Sequence, residues 1–300
     1  MQIGTKQFFQ TQVSSMSDLQ SQIGKIQEQV SSGKKILVPS DDPGAYTTAA
    51  KLGQAEAAIN QYSRNIGVAK SRLSQEDTVL SSVANVMARL NELTIQGGNG
   101  TNDATSRAAI SAEMGQLSQQ LVALGNTVDP NGDYLFAGYK GDKPPFAANA
   151  DGVSYSGDTG RKEVELARGV TTPTSSNGLE IFMNASRSGN QSLSVFQVIK
   201  NATDQLAVGP LTSENVKQVQ GVIDHVSTYQ AICGSRLQKV EMTDQNSQNL
   251  LINVKADKSA AEDADIAQLA TELQQKTLTL NAAQTVFAKV SQLSLFNYLK

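Results

Sequence analysis

The chain has 300 residues, 39% of them apolar and only 5% aromatic, with no tryptophan; this weighs against a broad compact core and toward helix–helix seams of Leu, Ile, Val and Ala. Its 25 basic and 28 acidic residues give a formal net charge of −3 and are spread along the chain, so no basic block offers a nucleic-acid groove or a surface for anionic membranes. One cysteine excludes an internal disulfide.

The start, Met1-Gln2-Ile3-Gly4-Thr5-Lys6, lacks the charged-then-apolar layout of a cleavable signal peptide. No apolar run approaches the roughly 18–20 residues that span a bilayer. This leaves either a cytoplasmic protein or one exported by a route that keeps the N-terminus intact.

A first helix is expected over about 5–32, with the ladder Phe9, Val13, Met16, Leu19, Ile23, Ile26 and Val30. Gly33 supplies the left-handed residue that ends helices well. Pro39 and Pro43 bracket a break, and Asp42-Pro43 restarts a helix, the carboxylate capping free N–H groups and Pro suiting the first helical position. The second helix is expected over about 44–96. Its ladder is Leu52, Ala55, Ile59, Tyr62, Ile66, Ala69, Leu73, Glu76, Leu80, Val83, Met87 and Leu90, with only Glu76 charged. Such a helix of roughly 50 residues would be a rod about 75 Å long. Gln96-Gly97-Gly98-Asn99-Gly100 interrupts it. A third helix over about 103–128 carries Ile110, Met114, Leu117, Leu121, Leu124 and Val128, and the short connection implies an antiparallel hairpin.

From about 129 helical spacing vanishes and Pro, Gly, Asn and Asp become frequent. Tyr134-Leu135-Phe136 and Leu179-Glu180-Ile181-Phe182 are strand candidates. Val153 and Tyr155, the turn Gly157-Asp158-Thr159-Gly160, and Val164 and Leu166 read together as a hairpin. Helix returns at about 193–207, stopped by Gly209-Pro210. A long helical region starts near Ser213, with Val216, Val219, Ile223, Val226, Gln230, Cys233, Leu237, Val240, Asp244, Ser247, Leu251 and Val254 in its ladder. The polar members near its end predict weaker packing there. Past a charged stretch from Lys255 to Asp265, the last ladder reads Ile266, Leu269, Leu273, Lys276, Leu280, Ala283, Phe287 and Val290.

An alternation of three and four keeps one narrow stripe on each helix facing a partner helix. Both chain ends carry such a stripe, and neither can build a core alone, so each requires the other or a neighbouring subunit. This is the pattern of a self-assembling structural protein. The chemistry-bearing clusters are weak by comparison. Asp41-Asp42 and Glu262-Asp263-Asp265 lack histidine partners and calcium-loop spacing, and they read as helix caps. Cys233 and His225 lie on one predicted helix, roughly 80° apart around its axis, with Cys233 on the core stripe. Gly97-Gly98-Asn99-Gly100 follows a helix and has no Lys after it, unlike a phosphate loop. The N-x-S/T triplets at Asn99, Asn184, Asn190 and Asn201 carry no weight outside a eukaryotic secretory context. No cofactor, metal site or enzymatic activity is expected.

Ser31-Ser32-Gly33-Lys34-Lys35 with Pro39-Ser40-Asp41-Asp42-Pro43 resembles the segment that closes the first helix of bacterial flagellins. Arg89-Leu90-Asn91-Glu92-Leu93 with Gln96 and Asn99-Gly100-Thr101 resembles the end of their second helix. Asp263-Ala264-Asp265-Ile266-Ala267, Glu272-Leu273 and Ala282-Ala283-Gln284 resemble their C-terminal helix. Within that superfamily, Gly132-Asp133-Tyr134-Leu135-Phe136-Ala137-Gly138, Pro144-Pro145-Phe146 and the ending Leu293-Ser294-Leu295-Phe296-Asn297-Tyr298-Leu299 look like the hook–filament junction subunits, the hook-associated protein three family. Nearly the whole chain is covered.

The resemblance implies a mainly α fold with a small β-rich insert, an elongated antiparallel helical rod with a terminal coiled coil. Residues 1–44 and 258–300 would form the inner coiled coil, 45–129 and 193–257 the long-helix rod, and 130–192 the outer insert. The implied partners are copies of the chain in a ring, the other hook–filament junction protein, flagellin, and a cytoplasmic flagellar export chaperone. Export would use the flagellar type III channel. The expected assembly residues are Phe9, Val13, Met16, Leu19, Ile23, Ile26, Val30, Ile266, Leu269, Leu273, Leu280, Phe287, Val290, Leu293, Leu295 and Phe296. Asn91 stands where many flagellins carry an arginine in the segment read by the vertebrate flagellin receptor, which counts against that recognition. Glu76 and Lys276, polar on apolar ladders, are candidates for fixing helix register. Two other readings remain open: a small flagellin of the filament itself, and a tip or adhesin-like binding module of a related secretion apparatus.

Overall fold

The computed structural model describes the backbone of residues 2–149, 152–188 and 191–296, and side chains within 7–149, 152–186 and 192–291. Helices dominate: α1 (Gln2–Ser32), α2 (Pro43–Gly97), α3 (Ala104–Gly125), α4 (Val195–Val208), α5 (Ser213–Glu262) and α6 (Ile266–Phe296). Between α3 and α4 lie six short strands, β1 (Phe146–Asn149), β2 (Gly152–Tyr155), β3 (Glu163–Ala167), β4 (Val170–Pro173), β5 (Ser186–Ser188) and β6 (Gln191–Leu193), with a π-helical turn at Leu179–Met183. The fold is mainly α with a small β-rich insert.

The punctuation residues act as their chemistry dictates. Gly33 ends α1 at φ +72°, and its N–H bonds Gln29 O at 2.9 Å. Asp42 Oδ1 accepts from Ala45 N at 2.9 Å, with Pro43 as the first residue of α2. Asp103 caps α3 by accepting from Ser106 N at 2.8 Å. Asp265 starts α6 by accepting from Ala267 N and Gln268 N, both at 3.0 Å.

The chain divides into two compact units, residues 1–58 with 250–300, and residues 59–249. The second unit holds the larger core. The α2 positions Ile66, Ala69, Leu73, Glu76, Leu80, Val83, Met87 and Leu90 are all buried, as are Val219, Val226, Cys233 and Val240 of α5. The same core takes Ile110, Met114 and Leu121 from α3 and Val195, Phe196, Val198, Ile199, Ala202 and Leu206 from α4. Arg89 reaches Glu113 at 2.8 Å, linking residues near the facing ends of α2 and α3, as an antiparallel hairpin requires. On α5 no residue is buried between Val240 and Val254, and the polar ladder positions Asp244 and Ser247 lie within that stretch.

The insert departs from the expected hairpin. Val153 and Tyr155 do not pair with Val164 and Leu166. Instead β1 pairs with β2 (Phe146↔Tyr155) and β3 with β4 (Val164↔Thr172), and β5 pairs with β6, all antiparallel. The turn at 157–160 is held to another segment: Asp158 Oδ1 accepts from Tyr139 N at 2.9 Å and from Gly160 N at 2.7 Å. These bonds hold the Asp158 carboxyl below the usual carboxylate range, the bond from Tyr139 contributing most.

Neither of the other two strand candidates forms. Tyr134 makes a single bridge to Val128, while Leu135 and Phe136 turn inward as core residues. Leu179–Met183 is the π-helical turn, with Ile181 and Phe182 buried. Gly178 just before it donates to Phe136 O at 3.2 Å, and a Cβ there would stand 2.6 Å from that oxygen, so only glycine fits the approach. Phe136, Phe146, Phe182 and Phe196 form one aromatic cluster, with ring centroids 5.1–6.3 Å apart in the contacts each makes with Phe182. The insert thus shares its core with the helices of its unit.

Candidate assembly interface

The unit formed by the two chain ends is built on α1 and α6. They run antiparallel: the rings of Phe9 and Phe287 meet edge to face at 5.4 Å, and Lys276 Nζ donates to Gln22 Oε1 at 2.8 Å. Near the break, Lys35 N donates to Glu262 O at 2.8 Å and Ala264 N to Gly33 O at 2.9 Å, which staples the end of α1 to the α5–α6 turn. Charged groups brace the same region. Lys25 pairs with Asp41 at 2.5 Å, Lys34 with Glu262 at 3.3 Å and Lys258 with Glu56 at 2.9 Å. The bond from Lys25, joined by those from the Leu37 and Val38 N–H groups, draws the Asp41 carboxyl down to about 2. Asp41 therefore organises the loop between α1 and α2, while Asp42 caps the helix that follows.

The predicted interface residues fall into four groups. Phe9, Met16, Leu19, Ile23 and Val30 of α1 and Leu269, Leu273, Leu280, Phe287 and Val290 of α6 line one stripe on each helix and are half-buried. Ile26 is the one member of either ladder that is fully buried, at 5% exposure. Val13, 52% exposed, and Ile266 stay outside the seam. Gln12 occupies the α1 place beside Val13, because Phe9, Gln12 and Met16 keep the three–four alternation that Val13 breaks. Leu293, Leu295 and Phe296 belong to α6, but their side chains lie outside the described residues, as does the Asn297-Tyr298-Leu299 ending.

The burial is thin for the apolar content. Besides the half-buried seam, Phe8, Leu278 and Val286 are exposed, Leu278 at 71%. Sequence reasoning on one stripe misses these. Leu278, Ala282 and Val286 recur every four residues on α6, a second row away from the seam. Lys276 sits in the seam itself, half-buried, with Gln22 as its partner across the helices and Glu272 at 3.7 Å on its own helix.

The candidate chemical groups serve structural ends. Cys233 Sγ donates to Leu73 O at 3.4 Å, and burial pushes the thiol up to about 12. His225 Nε2 lies 2.8 Å from Glu180 O, so that nitrogen carries the proton and donates. The two side chains serve different partners and do not form a nucleophile–base pair. Among the described residues, no group of three or more His, Cys, Asp or Glu is placed to hold a metal ion.

Residues 3–141 match the family model of the bacterial flagellin N-terminal helical region. The chain is 26% identical to flagellar hook-associated protein 3 of Salmonella typhimurium over 316 residues, covering 99% of each. It is 27% identical to flagellar hook-associated protein 3 of Escherichia coli over 318 residues, covering 100% of each. The crystal structure of the flagellar junction protein FlgL from Legionella pneumophila has the same fold, with a TM-score of 0.63 at 18% identity, covering 72% of this chain and 99% of that one. The chain is similar along its full length to flagellar hook-associated protein 3.

Proposed function

We propose that the protein is a structural subunit of the bacterial flagellum, an adaptor at the junction between hook and filament that assembles through α1 and α6. The observation that carries this reading is the unfinished seam of the terminal helices. Their ladders are half-buried within one chain, while further apolar residues on α1 and α6 remain exposed. Apolar surface of that kind becomes favourable only when neighbouring helices cover it. The full-length similarity to hook-associated protein 3 supports the junction over the filament body.

In this reading copies of the chain form a ring between the hook-side junction protein and the first flagellin layer. The terminal segments 1–44 and 258–300 supply the inner coiled coil, 45–129 and 193–257 the surrounding rod, and 130–192 the face toward solvent and ring neighbours. The protein leaves the cell through the flagellar type III channel, escorted in the cytoplasm by a dedicated chaperone. Extracellular placement follows from that route.

Labelled antibody against the chain, viewed on intact cells, tests the proposal. Signal confined to one point at the base of each filament is the expected result. Signal along the filament would instead identify a flagellin, and signal absent from flagella would overturn the proposal.

A further inference from the structure

One stretch of the insert meets α2 and α5 through polar groups. Thr172, Thr174, Ser175, Ser176 and Asn177 are all buried. Facing them is Glu76, 0% exposed and the one charged member of the buried α2 ladder. Its Oε2 accepts from Ser176 N at 3.2 Å, whereas Oε1 is buried with no partner among the described residues. None of the charged groups around it ion-pairs with it among the described residues, although Arg72 keeps Nε and Nη2 buried without a partner. Arg236 of α5 donates to Ser176 Oγ at 3.0 Å, and Arg72 of α2 donates to Asp129 Oδ2 at 2.8 Å, just beyond α3. Cys233, facing from α5, is a neutral thiol and balances no charge. Among the described residues Glu76 therefore makes no ion pair, and one of its oxygens has no donor from the protein.

We propose that Glu76 is a pH-operated latch: its neutral carboxyl lets loop 172–177 seat against α2 and α5, and its ionisation unseats that loop. A carboxylate with an unpartnered buried oxygen bears the full desolvation penalty of that atom. Opening the adjacent loop to admit water relieves it, because Ser176 of that loop donates to the carboxyl. Burial holds the Glu76 carboxyl above its ordinary range, and the bonds from Ser176 and the charges of Arg236 and Arg72 oppose this without cancelling it. With the folded-state value above the unfolded one, the stabilisation is complete below the ordinary glutamate range. It is lost as pH rises through the folded-state value.

The test is amide exchange over residues 172–177 in the full chain between pH 5 and pH 8, expressed as protection relative to the intrinsic rate. In the native chain protection is expected to fall about tenfold for each pH unit by which the folded-state value exceeds the unfolded one. Glu76→Gln, which keeps the shape and stays neutral, is expected to hold its protection across the range. Equal pH dependence in the two chains, or none in the native chain, overturns the proposal. If Glu76→Gln does not fold, the 13C carboxyl resonance of Glu76 in the native chain decides. A titration midpoint above the ordinary glutamate value supports the latch, and one at or below it overturns the latch.

Discussion

Replacing Leu273 with Asp is expected to abolish incorporation of the subunit into flagella while leaving residues 59–249 folded. Leu273 lies on the α6 seam and is half-buried in the single chain. Completing the seam with neighbouring copies removes its remaining surface from water, a fraction of the about 2 kcal/mol by which full burial of a leucine stabilises. An aspartate there forfeits that gain and adds a desolvation cost of several kcal/mol for the carboxylate. The sum weakens association by more than about a hundredfold, since each 1.4 kcal/mol is about a factor of ten. Ile23→Asp, on the facing stripe, is expected to behave alike. Filament formation in cells carrying each variant checks this, with urea unfolding of the purified chain as control for the larger unit. Normal assembly by either variant would refute the role given to the seam.

Phe182→Ala is expected to lower the stability of the 59–249 unit by about 3–5 kcal/mol, the usual cost of deleting a fully buried phenylalanine. Phe182 sits at the centre of the aromatic cluster, edge to face with Phe136 at 5.4 Å and Phe146 at 5.1 Å, and stacked on Phe196 at 6.3 Å. It lies in the insert, whereas circular dichroism at 222 nm reports chiefly on the helices. A shift in the helical urea midpoint on mutating Phe182 therefore shows that insert and helices unfold as one cooperative body. Loss of less than about 1 kcal/mol would mean that the insert unfolds separately.

The helices and their faces are legible in the sequence, and the insert largely is not. From Ile66 to Leu90 every ladder position satisfies the three–four spacing and is buried, because a helix surrounded by other helices is governed by its own periodicity. Helix ends at Gly33, Asp42-Pro43 and Asp103 are equally readable, since capping is chemistry between near neighbours. Local pattern fails where a distant residue intervenes. Val153, Tyr155, Val164 and Leu166 flank a turn-forming run, yet Asp158 binds the Tyr139 N–H, and the strands on either side pair elsewhere. Leu135 and Phe136 are apolar neighbours with strand-like character but serve as core residues beside Gly178.

The interface itself is half legible. The α6 ladder from Leu269 to Val290 lies on the seam, and so does the α1 ladder with Gln12 beside the exposed Val13. A polar side chain on a seam is invisible to a reading that counts only apolar residues. So is the second apolar row of Leu278, Ala282 and Val286, because none of the described residues covers it. The same blindness applies to Glu76: its charge marks it as an exception on the ladder, but its full burial against Ser176 depends on a loop a hundred residues away.

In the proposed function the two terminal helices are incomplete faces made whole by other copies. Amide exchange over residues 7–30 and 266–291 tests it most directly, comparing the isolated subunit with the subunit assembled in flagella. The isolated chain is expected to exchange these amides far faster than those of Ile66 to Leu90, because thin burial cannot offset the ordering of two long helices. In the assembly the terminal helices are expected to match that core. Terminal helices as protected in the isolated chain as the Ile66–Leu90 stretch, with no gain on assembly, would contradict the account.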